Sequence, residues 1–169
     1  MLRTTAPRLL TAAALAGVLS AASAGLADRA VAQGQAKPSA AALAKVTERQ
    51  ENFKAIGGAF KAVRGELEKD SPDYALIAAK AGDINARARR VGGLFPAGTS
   101  TASGIKTEAL PAIWSKPDAF KAAAQKLVDE SGKLKTAAAT RNKQAVAAQA
   151  MALGGACKGC HDQFRLPAK

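Results

Sequence analysis

Apolar positions along this chain recur mostly at three- and four-residue intervals, the spacing of one face of an α-helix. Over residues 39–68 the positions Leu43, Val46, Gln50, Phe53, Phe60, Val63 and Leu67 form one stripe, with Ser39 placed to cap the first turn. Gly57-Gly58 interrupts this run and predicts a bend or a close helix contact. A second helix is predicted to start near Ser71-Pro72-Asp73, to bury Tyr74, Ile77, Ala81, Ile84, Ala88 and Val91, and to stop at Gly92-Gly93. A third begins around Pro117-Asp118, with Phe120, Ala124, Leu127, Ser131, Leu134 and Ala138 in register. The fourth covers residues 142–165 and presents Val146, Ala150, Leu153, Cys157, Cys160 and Phe164 on one side. Residues 94–116 form a long connection, of the kind that packs on something large or carries function. Four amphipathic segments with otherwise short connections predict an all-α fold, an antiparallel up-down four-helix bundle.

Composition sharpens this picture. Hydrophobic residues make up 48% of the chain but aromatics only 4%. Alanine therefore supplies much of the apolar fraction, and alanine favours helix and close helix packing. There is no internal repeat and no sign of a second folded domain.

The first 32 residues read as an export signal. Arg3 and Arg8 give a positive start, and residues 9–22 form an apolar run too short to span a bilayer well. Cleavage after Ala24 or after Ala32 satisfies the small-x-small rule; the second leaves residues 33–169 as the mature domain. Such an export signal directs the chain to the periplasm, with no membrane anchor after cleavage. The full chain carries a formal charge of +12, and removal of residues 1–32 leaves 22 basic against 12 acidic residues, or +10. The lysines are dispersed and lack interleaved aromatics, which argues against nucleic acid. A basic surface of this kind suits acidic redox partners.

The chemistry is concentrated in Cys157-Lys158-Gly159-Cys160-His161, a C-x-x-C-H sequence of the type that attaches haem c. Positions i, i+3 and i+4 share one side of a helix, so two thiols and one imidazole are offered together. A thiol oxidoreductase would place C-x-x-C at a helix start in a βαβ unit, which this chain lacks. Structural zinc needs four ligands, and the chain has two Cys and one His. No hydrolase elbow, Walker loop or dinucleotide fingerprint is present. The reading is a haem protein and not an enzyme.

Counting ligands extends the argument. A c-type haem iron commonly takes His on one side and Met or a second His on the other. His161 is the single histidine, and the methionines are Met1 and Met151. Met1 leaves with the signal, and Met151 lies on the same helix as His161, so neither reaches the opposite face. Lys54 is an awkward alternative. The expectation is five-coordinate, high-spin iron, open to small diatomic gases and above all NO, with CO second.

The sequence also resembles the cytochrome c′ family over essentially the whole mature chain. The ending from Cys157 to Arg165, with His161 and Phe164 between, resembles that family's C-terminal signature. Arg49-Gln50 matches its first-helix pair, and Leu94-Phe95-Pro96-Ala97-Gly98-Thr99 and Pro111-Ala112-Ile113-Trp114-Ser115 resemble its loop motifs. The resemblance implies one covalent haem c on Cys157 and Cys160, with His161 as axial iron ligand. It also implies Arg49 and Gln50 at a haem propionate, Phe53 over the distal face and Arg165 beside the proximal face. The related c-556 type carries methionine where this chain has Phe53, which agrees with an open sixth position. A homodimer joined through the first two helices is the implied assembly. Plain electron transfer without gas binding, and thiol-disulfide exchange, are the competing functions.

Overall fold

The computed structural model describes residues 38–167; the export signal expected over 1–32 lies outside the described residues. Four long helices make the bundle: α1 (Ala40–Leu67), α2 (Tyr74–Ala88), α4 (Pro117–Ala139) and α5 (Lys143–Phe164). A single helical turn, α3 (Ala112–Ser115), precedes α4. α2 packs along both α1 and α4, and α4 along α5, while α1 and α5 meet at fewer places.

The helix starts follow from side chains that satisfy free amides. Ser39 accepts from Ala42 N–H, Asp73 from Leu76 N–H and Asn142 from Ala145 N–H. Pro117 opens α4, where a missing N–H costs nothing. At the α4–α5 turn Arg141 adopts φ 55°, a left-handed conformation more often given to glycine.

The stripes of α2 and α4 lie as the periodicity predicts. Ile77, Ala81, Ile84 and Ala88 are buried on α2, and Phe120, Leu127, Ser131, Leu134 and Ala138 on α4. α1 differs. Its deepest line is Val46, Arg49, Asn52, Ile56, Ala59, Val63 and Glu66. The expected stripe sits slightly round the helix: Leu43 and Gln50 are exposed, and Phe53, Phe60 and Leu67 pack half-buried on the flank of the core. The deepest line mixes apolar Val46, Ile56 and Val63 with polar Arg49, Asn52 and Glu66, and the aromatic side chains lie beside it. One of them, Phe60, lies over α5 at Gly154, where an added Cβ would be 3.5 Å from its ring. α1 continues without interruption through Gly57 and Gly58, and a Cβ at either would meet nothing within 4 Å, so neither mediates a close contact within this chain.

The core is divided in two. The larger cluster fills the bundle around Val63, Ile77, Ile84, Leu134, Val146 and Leu153. A smaller one, of Val91, Ala109, Ile113, Phe120 and Phe164, lies at the end where the long connection crosses. That connection is ordered by its own short turns, Val91–Leu94 and Thr101–Ser103, and is stitched to the end of α5. Leu110 N–H donates to the Phe164 carbonyl and Leu166 N–H to the Glu108 carbonyl, with Ala109 bridged to Arg165.

Candidate haem site

The cysteines of α5 stand at the junction of the two core clusters. Cys157 packs on the larger and Cys160 on the smaller, and both are half-buried. A helix turns about 100° per residue, so Cys160 and His161 flank the direction of Cys157 on opposite sides. The structure accordingly places His161 at an exposed position, while Cys157 and Cys160 each pack against an apolar cluster. Across from them Phe53 on α1 touches both clusters. Its ring meets Phe95 edge-on at 6.2 Å, and Phe95 continues to Phe120 at 4.9 Å and Phe120 to Phe164 at 5.3 Å. Behind Phe95 and Phe120 a cavity of about 630 Å³ opens between α2 and α4, with Trp114 and Ala124 in its wall.

Electrostatics follow from these positions. Burial pushes the Cys157 thiol up and the Cys160 thiol up to about 11 from an ordinary 9.0, with the Cys157 charge adding to the latter. Thiol-exchange cysteines are tuned the other way, toward a stable thiolate. His161 is held below its ordinary value by loss of surrounding water first and by the Arg165 cation second. A neutral imidazole is the form that binds a metal. Among the described residues no three His, Cys, Asp or Glu side chains are grouped so as to hold a metal ion by themselves, so zinc finds no ligand set.

The three expected arginine and glutamine positions separate. Arg49 is 2% exposed and makes no ion pair among the described residues. Its Nη1 donates to Thr99 Oγ1 at 2.8 Å, and its Nη2 to the Thr99 carbonyl and Thr107 Oγ1, both at 2.6 Å. Its guanidinium carbon lies 4.8 Å from the centre of the Phe95 ring. Burial pulls the guanidinium below its ordinary value, as expected for a cation given no anion. Gln50 is exposed and reaches the Lys106 carbonyl at 3.4 Å. Arg165 stands just past the end of α5 in extended backbone, and its guanidinium is held by Glu108 at 2.7 Å. Thr99, Thr107 and Phe95, which complete the Arg49 environment, carry no periodic signal and come from a loop.

Comparison with known proteins decides the family. The profile of the family described as Cytochrome C' matches residues 44–165. The chain belongs to the cytochrome c′ family. It is 38% identical over 122 residues to a cytochrome c' of Pararhodospirillum photometricum, covering 72% of this chain and 96% of that one. Two solved structures, each 26% identical, cover 78% of this chain and 100% of their own. One is a cytochrome c' with ligand-controlled dimer dissociation, at TM-score 0.69. The other is a nitric oxide complex of a variant cytochrome c prime from Alcaligenes xylosoxidans, at TM-score 0.67.

Cytochromes c′ are four-helix haem c proteins of electron transport, with the haem bound covalently, and this chain is one of them. The site fits such a group. Two half-buried thiols share one helix side, apolar clusters lie on either side of them, and a buried cation waits without a carboxylate. A flat, mostly apolar ring with two carboxylates answers each of these.

Proposed function

We propose that this chain is a periplasmic haem c protein that takes up NO and passes electrons, with iron held by the protein from one side. In this reading Cys157 and Cys160 carry the haem as thioethers, and His161 supplies the axial imidazole. Arg49 and Gln50 serve the propionates, Phe53 covers the opposite face and Arg165 lies near His161. The haem, when bound, supplies an iron able to exchange electrons and to accept a small diatomic ligand.

The observation that carries the open face is the position of Met151. It is 78% exposed on α5, and the chain has one histidine and one other methionine, Met1. No usual second ligand is therefore at hand among the described residues. Phe53 offers a ring and no hydrogen-bond donor, which favours NO over O₂, since bound O₂ gains from a donor and NO does not need one. The raised thiols weigh against thiol exchange as the function. The nitric oxide complex of the Alcaligenes relative supports the choice of gas, and the dimer dissociation of the other relative supports a homodimer. The export signal over residues 1–32 and acidic electron-transfer partners belong to the same reading.

Purified protein from a host able to attach haem c tests this directly. The ferric form is expected to give a high-spin electron paramagnetic resonance signal, and the ferrous form to change its optical spectrum on adding NO. A low-spin signal in the untreated protein would overturn the open-face assignment.

A further inference from the structure

Arg49 is held by one loop, and no atom that holds it is charged. Three of its N–H groups fall on Thr99 Oγ1, the Thr99 carbonyl and Thr107 Oγ1. A guanidinium has five N–H donors, so two donors and the whole positive charge remain to be used. The loop is built to keep the cation in that state. Thr99 is fully buried, and its hydroxyl proton goes to the Pro96 carbonyl at 2.8 Å, which turns its lone pairs toward Arg49. The same Pro96 carbonyl accepts from Trp114 Nε1 at 3.2 Å, which fixes the turn. Thr107 Oγ1 also accepts the Ala109 N–H at 3.2 Å, and Ala109 is bridged to Arg165 at the end of α5. The threonine clip thus ties Arg49 on α1 to the helix that carries both cysteines.

Resting on the haem assignment above, we infer that Thr99 and Thr107 are positioning residues that keep the Arg49 charge directed at the haem carboxylates and so set the iron's redox potential. A fixed cation beside a haem favours the reduced state, which carries one positive charge less. In a water-poor site that influence is strong. An arginine side chain is long enough to swing its head back toward water when a hydroxyl that orients it is lost, even though the Thr99 carbonyl remains. With the clip weakened the charge is no longer held in place, and the oxidised state gains.

Thr99→Val and Thr107→Val remove the hydroxyls at nearly constant shape, and the matching serine variants restore them. Haem-loaded proteins are titrated potentiometrically with optical detection. At a fixed ambient potential each valine variant should lower the reduced-to-oxidised ratio by about threefold or more, with serine returning it to the parent value. In an Arg49→Gln background the same valine changes should add nothing. A second readout is labelling of Arg49 by an arginine-specific dicarbonyl, slow in the parent and faster in the valine variants. If Thr99→Val does not accumulate, the partly buried Thr107 position gives the answer alone. Red, folded variants with the parent's potential would overturn the clip. A parent protein whose mass lacks haem would instead overturn the assignment on which it rests.

Discussion

Cys160 gives a sharp test of whether the thiol pair is a redox centre or an anchoring point. Desolvation moves its titration from an ordinary 9.0 to about 11. At pH 8 that leaves about one thiolate in a thousand, against about one in ten for an unperturbed thiol, a roughly hundredfold difference. Chain made without haem attachment, and shown to be helical by circular dichroism, is treated with iodoacetamide, and the Cys160 peptide is followed by mass. Alkylation in the folded chain should be about a hundredfold slower than in denaturant at the same pH, and its logarithm should keep rising with pH to about 11. A rate within threefold of the denatured chain would refute the burial argument. A pH profile that levels near 9 would show instead that the end of α5 opens and the thiol reacts in water. The expected result has a chemical corollary: with its thiols held as buried acids, the folded helix is a poor nucleophile.

Phe53→Met should place a thioether opposite His161 and convert the protein to a low-spin spectrum, read optically and by electron paramagnetic resonance. Leu134→Ala removes a fully buried side chain from the larger cluster and should destabilise the bundle by about 2–5 kcal/mol in denaturant titration. Arg141→Gly relieves the left-handed backbone at φ 55° and should raise stability by about 0.5–1 kcal/mol. The Glu66 carboxyl is held below its ordinary value by the Lys69 ammonium first and by the Asp73 N–H second. Its contribution is therefore present above the ordinary carboxylate range and is lost as pH falls through the lowered value. Glu66→Gln should lower stability at neutral pH, flatten the acid limb of a stability–pH curve and converge with the parent at low pH.

Much of this architecture was legible because it is periodic. α2 and α4 bury the residues their spacing names, and C-x-x-C-H fixes the chemistry at one end of α5. What was not legible arises from partners distant in sequence. Thr99 and Thr107 meet Arg49 across 50 and 58 residues, and nothing near them in the chain encodes that meeting. Arginine is ordinarily a surface residue, so periodicity placed the α1 stripe on Gln50 and Phe53 and passed over Arg49 and Asn52 beside them. Asn52 is 3% exposed with Oδ1 unpartnered, and a polar residue of that kind has no apolar signature to read. The order within the long connection is likewise not periodic, since it comes from hydrogen bonds to α5 and from Trp114 Nε1 on the Phe95 carbonyl.

The contrast between Arg49 and Arg165 says what the fold is for. Arg165 is exposed, where water would already satisfy it, and yet it holds the Glu108 carboxylate. Arg49 is buried, where an isolated cation is most costly, and it is given hydroxyls and a carbonyl. A sequence shaped for stability alone would reverse this, or would replace the buried arginine with an apolar residue of similar size, a change that often stabilises a core. The chain instead keeps a permanent charge in an apolar site and spends a loop on orienting it. That arrangement agrees with the propionate role proposed for Arg49. The two cysteines stand where the two apolar clusters meet, with Phe53 packed on both. On the haem reading proposed above, a propionate supplies the anion that Arg49 lacks among the described residues.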